Sequence, residues 1–286
     1  MSPRRSISRA LAQLRTLGLD RLDAQLLLLH VLERPLHQRS WLLSHDDEVL
    51  TPSQCSVLET LAHRRVGGEP LAYLTGSKEF FGLSLHVDKR VLVPRPDTET
   101  LVNWALAVFH GPRSVLDLGT GSGAIALALK ASCPELRVEG IDASPQAVAV
   151  ARANALNLQL EVNFNCGVWF QGLADPASRF DGVVSNPPYI ATKDPHLAAL
   201  RHEPLQALVS GPDGLDDLRH IIGHSPAHLR PGGWLLLEHG FDQAPAVRRL
   251  LAAAGFIQIQ SHCDLAGIER CSGGQVPAAA GAQCQI

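Results

Sequence analysis

The chain has 286 residues, 45% of them hydrophobic, with a formal net charge of -3. That length holds one large or two medium domains with ample material for a core. The weakly acidic balance argues against a protein that wraps nucleic acid, and no uninterrupted apolar run approaches the roughly 20 residues of a membrane helix.

The six cysteines, Cys55, Cys133, Cys166, Cys263, Cys271 and Cys284, include no C-x-x-C pair, so reduced thiols are expected in place of a zinc knuckle or disulfide framework. Arg4, Arg5 and Arg9 precede an amphipathic segment where a signal peptide would have its apolar core, so the cytosol is the expected compartment.

In chain order, Ile7, Ala10, Leu11, Leu14 and Leu17 fall on one helical stripe that Gly18 can end, and Leu22, Leu26 and Leu29 start another. Thr51-Pro52 is a helix start, with Thr51 as the cap and Pro52 in the first position. It leads through Val57, Leu58, Leu61 and Ala62 to the stop at Gly67-Gly68. A small all-α domain over residues 1–78 is expected. Residues 1–85 of the chain carry ten Lys/Arg against nine Asp/Glu, so the domain is no basic clamp, and a lid and a protein-recognition domain fit equally well. From Glu79 to Val87 and from Val91 to Val93 the period changes to two, which predicts a β-hairpin linker over 79–93.

An α/β domain is expected over 94–276, with strands near 114, 138, 161, 182, 235 and 257 and helices between them. Asp97 is a candidate helix cap, with Glu99 in the first turn; Arg95 and Glu99 fit either plain capping or closure of a pocket. Ser114 to Leu118 reads as a buried strand running into Gly119, Thr120, Gly121, Ser122 and Gly123 before the helix that begins at Ala124. Such a turn lets a ligand lie on bare backbone, with free N–H groups of a helix start behind it. Glycine at every second position is not the G-x-G-x-x-G of a dinucleotide site and suits an amino-acid moiety better, with Asp117 available to an ammonium group. The next strand ends at Asp142, where an acid can accept both ribose hydroxyls or cap the helix near Ser144-Pro145.

Asp181 to Ser185 is a further strand, followed directly by Asn186-Pro187-Pro188-Tyr189. Two prolines remove both backbone donors, so this turn offers stiffly held carbonyl oxygens. Asn186 adds an acceptor and a donor in a fixed fork, and Tyr189 a ring for a planar group or a sulfonium cation. Acceptors aimed at a nitrogen with two hydrogens point to methyl transfer onto a planar nitrogen. His220, His224 and His228 recur every fourth residue, but Pro226 interrupts that face and no metal site is expected. Gly273-Gly274-Gln275 lies in a segment, 268–276, that completes the pattern, and Pro277 to Ile286 reads as a disordered tail.

These stretches resemble the S-adenosylmethionine-dependent class I methyltransferases, and more narrowly the peptide chain release factor N5-glutamine methyltransferases of the HemK/PrmC type. The resemblance covers Glu69 to Gly76, Val93 to Glu99, Asp117 to Leu129, Ser185 to Ile190, Glu203-Pro204 and Leu235 to Gly240. It implies a doubly wound Rossmann-like sheet with an added antiparallel strand over 268–276. It implies that Gly119, Thr120, Gly121, Ser122, Gly123, Asp142, Trp169 and Asn186 surround S-adenosylmethionine, the product being S-adenosylhomocysteine. By the same resemblance Asn186, Pro187, Pro188 and Tyr189 hold the amide of a glutamine, with Asn186, Pro187 and Tyr189 catalytic, and the glutamine belongs to a Gly-Gly-Gln tip of a release factor.

One departure stands at Val168, where an acidic residue commonly precedes the aromatic pair, here Trp169-Phe170, so an adenine contact is expected to be missing. A monomer without direct nucleic-acid binding is expected. Three rivals remain at this level: a ribosomal-protein glutamine methyltransferase, a nucleic-acid adenine N6 methyltransferase, and a non-catalytic cofactor-binding partner of translation factors. The second would generally carry a basic module, and the intact Asn186 to Tyr189 argues against the third.

Overall fold

In the computed structural model, which describes residues 5–278, the chain forms two compact units, Met1–Ser77 and Lys78–Ile286. The expected tail lies outside the described residues from position 279 onward.

The first unit is helical: α1 (Ile7–Thr16), α2 (Arg21–Val31), α3 (Trp41–Ser44), α4 (Pro52–Val66) and α5 (Leu71–Thr75). Local chemistry sets the ends. Ser6 and Asp20 accept the N–H groups of Arg9 and Asp23 at the starts of α1 and α2. Thr51 and Gln54 cap α4 reciprocally, with Pro52 where no N–H is needed. Ile7, Ala10 and Leu14 pack with Leu27, Leu28, Leu42, Leu58 and Leu61.

The α2 stripe differs from the expected one, since Leu22 is 47% exposed and Leu26 half-buried while Ala24, Leu27 and Leu28 are buried. Four consecutive leucines fit several helical frames. An ion pair decides among them: Asp23, on the buried face, meets Arg65 of α4 at 2.5 Å.

The second unit opens with β1 (Ser77–Phe80) and β2 (Leu83–His86), joined at Phe81-Gly82, where both residues take the positive φ that a tight hairpin needs. The extended pattern ends earlier than its period suggested. Val91 to Val93 form no strand, because the Asp88 side chain and carbonyl accept the N–H groups of Arg90 and Val91 in a turn and Pro94 follows. Asp97 does not cap a helix either. A 3-10 turn spans Pro96–Thr98, α6 (Glu99–Val108) begins after it, and the Asp97 carboxylate faces Arg270 at 3.5 Å.

Strands and helices then alternate: β3 (Ser114–Leu118), α7 (Ala124–Ser132), β4 (Arg137–Asp142), α8 (Pro145–Leu158), β5 (Asn163–Cys166), β6 (Phe180–Ser185), α9 (Asp216–His228), β7 (Leu229–Glu238), α10 (Ala244–Ala253), β8 (Ile257–Cys263) and β9 (Glu269–Gln275). The seven-stranded sheet runs β5-β4-β3-β6-β7-β9-β8, parallel except at β9, which is antiparallel to both β7 and β8. The doubly wound sheet with its added antiparallel strand is thus as expected. Strand order reverses between β3 and β6, the position where such sheets leave a crevice for a ligand. Leu116, Leu118, Val183, Leu235 and Leu237, all fully buried, fill the centre with Ile221 of α9 and Val247 of α10.

The histidine row of α9 does not converge on a common point. His220 and His224 stack on each other, and His228 stacks on Phe170 with ring centroids 4.4 Å apart.

Candidate active site

Strand register brings the separate motifs together. Leu118 pairs with Ile141 on one side and Ser185 on the other, and Ser185 pairs with Leu237, so the next residues, Gly119, Asp142, Asn186 and Glu238, leave the sheet side by side. Ser185 ties the ends together with a hydroxyl bond to the Leu118 carbonyl at 2.7 Å.

A cavity of about 240 Å³ lies over these ends, bordered by Gly119, Gly121, Asp142, Val168, Trp169 and Asn186 among others. Gly119 has φ 71°, and a Cβ there would come within 3.4 Å of the Trp169 indole, so backbone forms the floor and the ring a wall. Asp142 is held at both oxygens, Oδ2 accepting from Gly121 N–H and Oδ1 from Ser144 N–H, each at 2.8 Å. It is not the cap of α8, a role taken by Ser144, whose hydroxyl accepts the Ala147 N–H. Burial pushes its carboxyl up. Its remaining lone pairs border the cavity.

Thr120, Ser122 and Gly123, expected to surround a cofactor, do not border that cavity but shape its floor. The Thr120 hydroxyl donates to Asp117 at 2.6 Å, and the Ser122 carbonyl accepts from Asn154 at 2.9 Å. Gly123 turns the chain into α7 with φ 83°, and a Cβ there would sit 3.0 Å from Leu127. Asp117 is sealed off as well. It is fully buried, leaves Oδ1 without a partner, and desolvation pushes its carboxyl up to about 7.

Asp117 therefore carries a proton in the native protein over a pH range in which it is ionised in the unfolded chain, and its contribution to stability is lost as pH rises through that range. Asp117→Asn, neutral throughout, is expected to gain stability relative to the native protein as pH rises from about 4 to about 7. Denaturation midpoints of both proteins across that range check this, and parallel curves reject it.

A second cavity of about 110 Å³ is bordered by Arg95, Asn186, Pro187, Tyr189 and Leu208, among others. Asn186, Leu92 and Ala207 border both cavities, so the carboxamide stands in their common wall; Pro188 faces only the larger one. The Asn186 amide donates from Nδ2 to Thr98 Oγ1 at 3.2 Å, which leaves Oδ1 as its free edge. Arg95 makes an ion pair with the buried Glu203, whose other oxygen accepts the Val93 N–H at 3.1 Å. Arg95 thus borders a pocket, while Glu99, in the first turn of α6, accepts the Phe81 N–H at 3.1 Å.

Sequence reasoning missed Gln243, which clamps this turn by donating to the Tyr189 carbonyl at 3.0 Å and accepting from Gly240 N–H at 2.9 Å. Its position shortly after the end of a buried strand was the available signal. Thr98 and Glu238 sat inside quoted motifs without an assigned role. The Tyr189 hydroxyl donates to Glu238 at 3.5 Å, and burial pushes the phenol well above its ordinary range.

Gln275 is far from both cavities. It pairs with Trp234, four residues before Glu238 or about 13 Å along β7, and its amide donates to the Gly232 carbonyl at 2.7 Å. Methylation of this chain's own Gly-Gly-Gln within one folded chain does not fit that position.

Residues 98–209 match the family model of the methyltransferase small domain, and residues 5–76 that of the PrmC N-terminal domain. With the sheet order and the paired cavities, these matches define a Rossmann-like methyltransferase. A methyltransferase from Pyrococcus furiosus shares the fold, with a TM-score of 0.55 at 18% identity over 77% of this chain and 100% of that one. Two relatives are much nearer in sequence. The release factor glutamine methyltransferase of Bordetella pertussis is 49% identical over 90% of this chain and 95% of its own length, and that of Escherichia coli 43% identical over 91% and 94%. The chain belongs to the release factor glutamine methyltransferase family.

Proposed function

We propose that this enzyme transfers a methyl group from S-adenosylmethionine to the side-chain amide nitrogen, N5, of the glutamine in the Gly-Gly-Gln motif of peptide chain release factors. The observation that carries this reading is Asn186 in the wall shared by two cavities, the larger bordered also by Gly119, Gly121, Asp142 and Trp169 and the smaller by Pro187 and Tyr189. Glu203, Arg95 and Tyr189 brace the smaller one, and the names of the relatives point to the same acceptor.

The larger cavity fits the cofactor on its own chemistry. Gly119 and Gly121 offer bare backbone, Asp142 a carboxylate with lone pairs left for two ribose hydroxyls, and Trp169 an apolar face for a base. When bound there, S-adenosylmethionine supplies an electrophilic methyl carbon.

The protein's part is alignment. An amide nitrogen has its lone pair delocalised, and no strong base is needed if the site holds it in line and excludes water. Effective molarities of about 10⁵ M or more are available from such positioning. Asn186 Oδ1 and the Pro187 carbonyl accept the two amide hydrogens, an arrangement that favours the partly cationic nitrogen of the transition state over the neutral ground state. The two prolines keep those oxygens fixed and bring no competing donor. The surplus proton then leaves to water.

Purified release factors, ribosomal proteins and DNA, each incubated with enzyme and labelled cofactor, test the reading. Label is expected on the release-factor glutamine and absent after its replacement by alanine; label only on ribosomal protein or DNA overturns it. Val168, half-exposed on the cofactor cavity, gives a further expectation. Val168→Asp restores an acceptor for an adenine amino group and is expected to tighten cofactor binding about tenfold by calorimetry. An unchanged dissociation constant removes that idea.

A further inference from the structure

We propose that Gln243, which borders neither cavity, is a positioning residue that fixes where the Asn186–Tyr189 turn presents its acceptors. The inference rests on the proposed use of that turn to hold the acceptor amide.

A glutamine side chain presents one accepting and one donating edge, and only its partners decide which way round they lie. At Gln243 every partner is a backbone group. Gly240 N–H can only donate, so it selects Oε1, at 2.9 Å. The Tyr189 and Gly214 carbonyls can only accept, so they take the two hydrogens of Nε2, at 3.0 and 3.3 Å. One half-buried carboxamide thus joins three loop segments, those that follow β6 and β7 and the one that leads into α9.

The clamp stands on a rigid base. Gln243 occupies the cap position of α10, where its own carbonyl accepts the Val247 N–H at 3.0 Å. Gly240 is held from its other side as well, its carbonyl taking the Nδ1 hydrogen of the fully buried His239 at 2.9 Å. The fit at the far end is close: Gly214 has φ 76°, and a Cβ there would come within 2.3 Å of the Tyr189 carbonyl oxygen.

The peptide that Gln243 grips is the one that ends the turn. Its N–H, from Ile190, donates to the Leu208 carbonyl at 2.8 Å, so both polar groups of the Tyr189–Ile190 peptide are held. The rings of Pro187 and Pro188 lock their φ angles, and few torsions remain between Ser185 in the sheet and that fixed peptide. The directions of the Pro187 carbonyl and the Tyr189 ring, which border the smaller cavity, therefore follow from how the two ends of the turn are held. Without Gln243 the last peptide can rotate about its remaining bond to Leu208 and carry the turn with it.

Two variants separate this role from plain support of α10. Gln243→Met keeps the length and removes both edges. Gln243→Glu, assayed near about pH 8 where a carboxylate is ionised, keeps the acceptor for Gly240 and sets an oxygen without a hydrogen against the Tyr189 carbonyl. Because the Leu208 bond survives, both are expected to lower kcat about 10- to 30-fold, with the cofactor dissociation constant within about twofold of the native value. A side chain that merely tied Gly240 to the start of α10 would tolerate glutamate and not methionine. Near-native kcat in Gln243→Glu overturns the inference, as does a loss of cofactor affinity as large as the loss of kcat. If Gln243→Met does not fold, Gln243→Glu decides alone. The measurements use whichever acceptor the native enzyme methylates. A native enzyme inactive on release factors would refute the proposed substrate, while these ratios would still report on the clamp.

Discussion

Asn186→Ala is expected to lower turnover about 10²- to 10³-fold while leaving the affinity for S-adenosylmethionine nearly unchanged. The asymmetry follows from where the side chain stands. Asn186 borders the larger cavity, but the groups proposed to face the cofactor there are bare backbone, Asp142 and Trp169. In the smaller cavity its carboxamide is fixed in direction by the bond from Nδ2 to Thr98 Oγ1, with Oδ1 on the opposite edge. Alanine removes an acceptor whose hydrogen bond strengthens as the amide nitrogen becomes cationic, so the loss falls on the transition state more than on the ground state. Single-turnover rates at saturating cofactor, beside calorimetric titration with cofactor alone, separate the two quantities. Equal losses in both would make Asn186 chiefly a cofactor contact.

Asp142→Ala should show the opposite split, a dissociation constant for S-adenosylmethionine raised about 100-fold with kcat at saturation much less affected. The carboxylate has both oxygens pinned by backbone N–H groups, so its free lone pairs are aimed before any ligand arrives and little ordering cost accompanies binding. Part of the loss will come through the floor of the cavity, since Gly121 N–H loses its acceptor when the carboxylate is removed. An Asp142→Ala protein that binds cofactor as tightly as the native one would remove Asp142 from the site. Together the two variants assign one cavity to the methyl donor and the other to the acceptor by independent measurements.

Much of this was legible before any coordinates. The glycines after Leu118, the acid at 142 and the Asn-Pro-Pro-Tyr turn after Ser185 carry their chemistry in residue type, because bare backbone, a carboxylate and a donor-free turn have few substitutes. Which of these residues faces a ligand was less legible. Thr120, Ser122 and Gly123 sit in the same short stretch as Gly119 and Gly121, yet they turn to Asp117, Asn154 and Leu127. Asp97 looked like a helix cap, but the helix starts later and Asp97 faces Arg270, distant in sequence.

The sequence by itself determined which segments become strands and helices in the α/β unit, where the donor-free turn falls, and that a carboxylate and a carboxamide end two of its strands. Those properties are local, set by period, proline and side-chain type. Only the tertiary structure decided that Asn186, Asp142 and Glu238 leave neighbouring strands abreast, that a threonine 88 residues upstream holds the carboxamide, and that Gln243 clamps the turn. Strand order and register are properties of pairing between distant segments, and which group a side chain meets depends on what that pairing brings beside it.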